Sequence, residues 1–115
     1  MEDGSGLSHF NAVSPSFFTA FLKFMARESI NSSVFLESLP RAGKGTLVRF
    51  NSENFPLDAL KAKSGSMTRI QCYSGYMDIT SGKTLCFSIM FNHYAGSQMQ
   101  LIKEIENLLL AVREM

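Results

Sequence analysis

The 115 residues include no tryptophan, only three prolines and only two cysteines, Cys72 and Cys86. Two thiols are too few for a disulfide framework, so the fold must rest on an apolar core. No run of 18 apolar residues occurs, which excludes a membrane-spanning helix. Neither charge dominates: eleven Lys and Arg against ten Asp and Glu leave a net +1. With no basic run either, a nucleic-acid partner is not expected. His9 and His93 stand apart, without carboxylates or cysteines at ligand spacing, so no metal site is expected. The opening Met1-Glu2-Asp3-Gly4-Ser5-Gly6 is acidic and glycine-rich, unlike a secretory leader. The expectation is a cytosolic chain or one without its natural beginning. What is present is ordinary: 45% hydrophobic and 18% charged residues suffice for the core of one domain, or part of one.

Residues 1–13 read as a polar loop. Ser14-Pro15 then supplies an N-cap and a first-turn proline, and Phe17, Phe18, Phe21, Leu22 and Met25 recur at helical spacing. A helix is predicted over 15–28, with its phenylalanines in the core. Asn31-Ser32-Ser33 should break it before a short helical turn over 34–39, closed by Pro40. Loops follow at 41–46 and 51–56. The period then changes to that of strands, predicted over 59–67, 69–80 and 83–92. A two-residue turn at Ser81-Gly82 would pair Cys72 with Phe91 and Cys86 with Met77, placing the thiols on opposite, largely apolar faces. Such a sheet needs cover on both sides, and the thiols should be buried and unbridged. Ser97 and Gln100 form a capping box for a last helix with Leu101, Ile102, Ile105, Leu108, Leu109 and Val112 as its apolar stripe. Glu104 and Glu106 read as its solvated face.

The segment with chemical content is Lys63-Ser64-Gly65-Ser66, at the end of a predicted strand. An ammonium beside hydroxyls attracts a carboxylate, and glycine lets a peptide lie close to the strand. A backbone N–H just beyond can donate to an oxyanion. Taken alone, the tripeptide Lys-Ser-Gly is a weak signal, and a solvated strand end explains it equally well.

Three further segments give it a setting. Asp3-Gly4-Ser5-Gly6-Leu7-Ser8-His9-Phe10-Asn11 resembles the second-motif segment of the class C low-molecular-mass penicillin-binding proteins. Leu39-Pro40-Arg41-Ala42-Gly43-Lys44-Gly45-Thr46-Leu47 resembles another of their segments, one residue shorter. Gly75-Tyr76, Ser81-Gly82-Lys83, Phe87-Ser88-Ile89 and Asn92 match the hairpin after the family's Lys-Thr-Gly motif, here with Ser64 for threonine. The sequence therefore resembles the C-terminal part of a D-Ala-D-Ala carboxypeptidase/endopeptidase.

That resemblance implies an α/β fold, an antiparallel sheet flanked by helices, as the C-terminal part of a penicillin-binding or beta-lactamase-like transpeptidase domain. Residues 1–13 would be the second-motif loop, 14–58 helices and loops, 59–93 the strands, and 96–114 the terminal helix. Lys63, Ser64, Gly65 and Ser66 would bind the terminal carboxylate of a peptidoglycan stem peptide. Ser8 would sit in the proton path and Asn11 would bond a substrate amide; their spacing exceeds the usual Ser-x-Asn by one residue. The implied catalytic set is Ser8, Asn11 and Lys63, with no cofactor or metal. Beta-lactams would inhibit, and the location would be the periplasm or cell envelope. No serine here has lysine three places later, so the acylating Ser-x-x-Lys is missing. The implied partner is an N-terminal part of the same domain, and without it exposed apolar surface is expected. Two alternatives stand beside this reading: a non-catalytic α+β binding or scaffold domain, and part of a beta-lactamase. Gly82-Lys83-Thr84 mimics the end of a P-loop, but a strand follows it where a helix is needed.

Overall fold

The computed structural model describes residues 14–67, 70–92 and 95–115. Helix α1 spans Pro15–Arg27, with Pro15 in its first turn and the Ser14 hydroxyl accepting from the Phe17 N–H at 3.2 Å. Helix α2 covers Ser32–Ser38. The break therefore lies before Ser32, and Ser32 and Ser33 belong to the first turn of α2, where serine costs a helix little. The Ser32 hydroxyl also reaches back to the Ala26 carbonyl, tying the two helices. Short 3₁₀ turns carry the chain to strands β1 (Leu60–Met67), β2 (Ile70–Asp78) and β3 (Thr84–Asn92). Helix α3, Gln98–Arg113, is capped as expected: the Ser97 hydroxyl accepts from the Gln100 N–H.

The three strands form an antiparallel sheet in the order β1-β2-β3, with helices on both faces. The expected fold class is borne out. The hairpin register is not. Ile79 donates to the Lys83 carbonyl, leaving a three-residue loop, Thr80-Ser81-Gly82, with Gly82 at φ +95°. A turn ending in a left-handed residue is the usual three-residue solution, and glycine takes that conformation without strain. One extra loop residue shifts every pair by one place. Cys72 faces Met90 and Cys86 faces Tyr76. Both thiols thus share one face, half-buried and free. They still cannot bridge, because the four-residue stagger between them along the strand is about 13 Å.

The α3 face carries the larger core. Tyr73 and Met77 of β2 and Leu60 and Ala62 of β1 pack with Ile102, Ile105 and Leu109, and with Leu47, Phe50 and Phe55 from the connecting loops. The Phe50 and Tyr73 rings meet edge to face at 5.1 Å. Glu106 is not a merely solvated residue, since its carboxylate accepts from the Asn51 N–H at 2.7 Å and fixes this loop to α3. The α1 face is smaller, built on Leu22, Leu39 and Tyr76. The buried Tyr76 hydroxyl donates to the Leu22 carbonyl. Of Phe17, Phe18 and Phe21, expected in the core, only Phe18 is half-buried. Phe17, Phe21 and Phe24 are 54%, 41% and 49% exposed, because Leu22 and Ala26 face the sheet and the rings lie on the flank. Phe21 leans on Phe35 of α2 instead. Together with Ile30 and Val34 they make an exposed apolar surface on the side of α1.

Gly75 is where β1 and β2 close together. A Cβ there would lie 2.1 Å from the Lys61 carbonyl oxygen and 2.5 Å from the Ala62 Cα. Only glycine fits.

Candidate functional site

Strand β1 is the edge of the sheet, and its two halves are treated differently. Along the first half the Ala62 N–H donates outward to the Pro40 carbonyl at 3.1 Å, and Arg41 bridges to Lys61. The Arg41 guanidinium in turn donates to the Leu36, Glu37 and Leu39 carbonyls that end α2. Backbone groups alternate in direction along a strand. The Asp78 N–H pairs with the Ala59 carbonyl at 2.8 Å, so Lys61, Lys63 and Gly65 turn their backbone groups toward β2. Ser64 and Ser66, like Ala62, turn theirs to the free edge. Among the described residues no backbone group pairs with the Ser64 or Ser66 N–H on that side.

Side chains alternate as well. Ser64 and Ser66 project on the α3 face, where they line a polar cavity of about 160 Å³ with Arg49, Gln71 and Gln98. Lys63 and Gly65 belong to the opposite face, set against Ser74 and Cys72 of β2. The exposed Lys63 ammonium curls over the edge and donates to the Ser64 carbonyl at 2.8 Å. The four residues are therefore together but not in one pocket: two hydroxyls, two edge amides and an ammonium surround one short stretch of edge. Gly65 leaves that stretch open, since a Cβ there would meet nothing within 4 Å. Such an edge can receive an extended peptide by strand addition. Ser8 and Asn11 lie outside the described residues, as do His9 and His93.

Sequence reasoning missed Arg49, Gln71 and Gln98. Gln71 is only 3% exposed and is the sole buried polar residue among those described. Its side-chain oxygen accepts from Gln98 at 2.8 Å, and Gln98 accepts from Arg49 at 3.4 Å. The alternation of Gln71 with the apolar residues of β2 was the available signal, because a glutamine on the inner face needs a partner.

A second cleft, near 890 Å³, opens between α1 and β3, lined by Lys23, Arg27, Lys83, Tyr76 and Cys86. Burial raises the Cys86 thiol above its ordinary pKa, against the opposing pull of Arg27 and Lys23. A thiol held protonated is a weak nucleophile. None of the described motif residues, Lys63 to Ser66, lines this cleft.

Residues 1–112 match the family model described as D-Ala-D-Ala carboxypeptidase 3 (S13). The chain belongs to that family. The resemblance to the penicillin-binding carboxypeptidases is thereby borne out, and solved structures agree. Penicillin binding protein 4 (dacB) from Haemophilus influenzae superposes with a TM-score of 0.84 at 25% identity, over 100% of this chain and 27% of that one. The same protein complexed with a beta-lactam gives a TM-score of 0.80 at 26% identity, over 98% of this chain and 28% of that one. The S13 chain thus spans little more than a quarter of those neighbours' length. No curated protein sequence matches it. No helix among its described residues is long and apolar enough to cross a membrane.

Proposed function

We propose that this chain supplies the substrate-binding half of the active site of a serine-type D-Ala-D-Ala carboxypeptidase/endopeptidase. The observation that carries the reading is the open half of β1, where Lys63, the Ser64 and Ser66 hydroxyls and their free backbone groups surround one stretch of edge. A stem peptide ending in D-Ala-D-Ala lies along that edge as an added strand, passing Gly65. Its terminal carboxylate is held by the Ser64 and Ser66 hydroxyls and drawn in by the Lys63 ammonium. The Ser66 N–H donates to the oxyanion that forms when a serine attacks the scissile carbonyl. Ser8 and Asn11 belong to the same site, in the proton path and on a substrate amide. The attacking serine and its lysine lie outside these residues, in an N-terminal part of the same domain, and the bond is cleaved through an acyl-serine intermediate. Beta-lactams acylate the same serine, and the protein acts in the cell envelope.

Fluorescent penicillin tests this directly. The chain alone should remain unlabelled, whereas a chain extended upstream to include an in-frame Ser-x-x-Lys should be labelled covalently. Label on the 115-residue chain would overturn the account of the nucleophile. In the extended chain, Gly65→Ala should slow labelling at least about tenfold while leaving the fold intact, because the added methyl meets substrate and nothing else.

A further inference from the structure

Among the described residues, one charged side chain lines the cavity beneath Ser64 and Ser66, that of Arg49. Among the described residues no carboxylate lies within ion-pair distance of it; the ion pairs found there involve Arg41. The nearby Glu106 is engaged by the Asn51 N–H. Arg49 is instead held by neutral groups: it donates to Gln98, which donates to the buried Gln71. Burying a glutamine in the core of a sheet is costly unless it is bonded. Here its bond anchors Gln98, and Gln98 receives the guanidinium. Gln98 is also the first residue of α3, whose N-terminal end carries partial positive charge toward the same cavity. Among the described residues, a guanidinium without a carboxylate partner, the Ser64 and Ser66 hydroxyls and the first residue of α3 line one small space.

From this arrangement we infer that Arg49 is a carboxylate-binding residue of the site, pairing with the terminal carboxylate of the peptide that lies along β1. The inference rests on the edge reading given above. Ser64 and Ser66 approach the carboxylate from the strand, and Arg49 approaches from the loop below it. A guanidinium presents two parallel donors to one carboxylate, which hydroxyls cannot do. Lys63, on the other face of β1, draws the acid in by its charge from across the edge, while Arg49 holds it. Arg49 thereby makes the site selective for peptides with a free C-terminus. Gln98 and Gln71 act as positioning residues.

The test is nitrogen-15 NMR titration of the whole chain with N-acetyl-D-alanyl-D-alanine and, separately, with its C-terminal amide. Both should shift the Ser64 and Ser66 amide signals, the acid binding about tenfold more tightly, a factor equal to about 1.4 kcal/mol. The Arg49 side-chain N–H signal should move with the acid and not with the amide, a readout that needs no variant. Arg49→Ala, and Arg49→Gln, which retains a bond to Gln98, should lower the acid-to-amide ratio several-fold, leaving the share that Ser64, Ser66 and Lys63 supply. A ratio that stays near ten in both variants, or an Arg49 signal indifferent to the acid, overturns the assignment and leaves the edge reading standing. If neither ligand moves Ser64 or Ser66, the edge reading itself fails, and the role of Arg49 falls with it.

Discussion

Strand β1 is one strand with two edges. From Leu60 to Ala62 its outer side is closed by Pro40 and Arg41, and its inner side presses so tightly on β2 that Gly75 admits no Cβ. From Lys63 to Ser66 no backbone group among the described residues pairs with the outer side, and a Cβ on Gly65 would meet nothing within 4 Å. Proteins ordinarily cover or blunt an exposed strand edge, since it invites pairing with another chain. Here the covering stops at the residue where the motif begins. The first half of the strand is built for the fold, the second is the half proposed to receive a ligand, and the two glycines mark the difference.

The strongest way to break this contrast is to substitute them. Gly75→Ala should cost about 3 kcal/mol or more, because backbone atoms of β1 cannot yield as a side chain can. Denaturant unfolding measures it. Gly65→Ala should stay within about 0.5 kcal/mol in the same experiment. Equal losses at both sites would abolish the distinction between the halves. Amide exchange draws it more finely: the Ala62 N–H, bonded to Pro40, should be protected roughly a hundredfold more than the Ser64 and Ser66 N–H groups. Away from the strand edge, the link from Tyr76 to α1 sets a smaller effect. Tyr76→Phe should cost about 1 kcal/mol. It should also change the alkaline limb of stability. Burial, with a smaller contribution from Cys86, pushes the Tyr76 phenol from its ordinary 10 up to about 12. A phenol with a raised folded pKa stabilises fully below pH 10, and that stability is lost as the pH climbs toward 12. The wild type should show this loss, and Tyr76→Phe should lack it.

Much of this was legible before the structure. The helix starts at Ser14-Pro15 and Ser97 follow from capping chemistry that is local to a few residues. The strand positions follow from period and composition, and the motif from its flanking segments. Three things were hidden, each for a physical reason. The hairpin register turned on whether the loop held two residues or three, and Ser81-Gly82 suits both. The sidedness of α1 was obscured because its phenylalanines outnumber the smaller residues, Leu22 and Ala26, that meet the sheet. Arg49 was invisible because its meaning depends on Gln71 and Gln98, one in the middle of the sheet and one at the start of the last helix. Residues so far apart in sequence are joined only by the fold.

The alternation of β1 also bears on how such a sequence can change over time. Exchanging a residue at Ser64 or Ser66 alters one hydroxyl and leaves the rest of the edge where it was. Gaining or losing one residue between Lys63 and Ser66 is a different kind of event. It carries the hydroxyls beyond it to the side of α1 while the Lys63 ammonium stays where it was, inverting every later position of the strand together. Point substitutions are open to this segment one at a time, whereas a single-residue insertion or deletion is closed to it. The length of β1 is therefore inherited more strictly than its spelling.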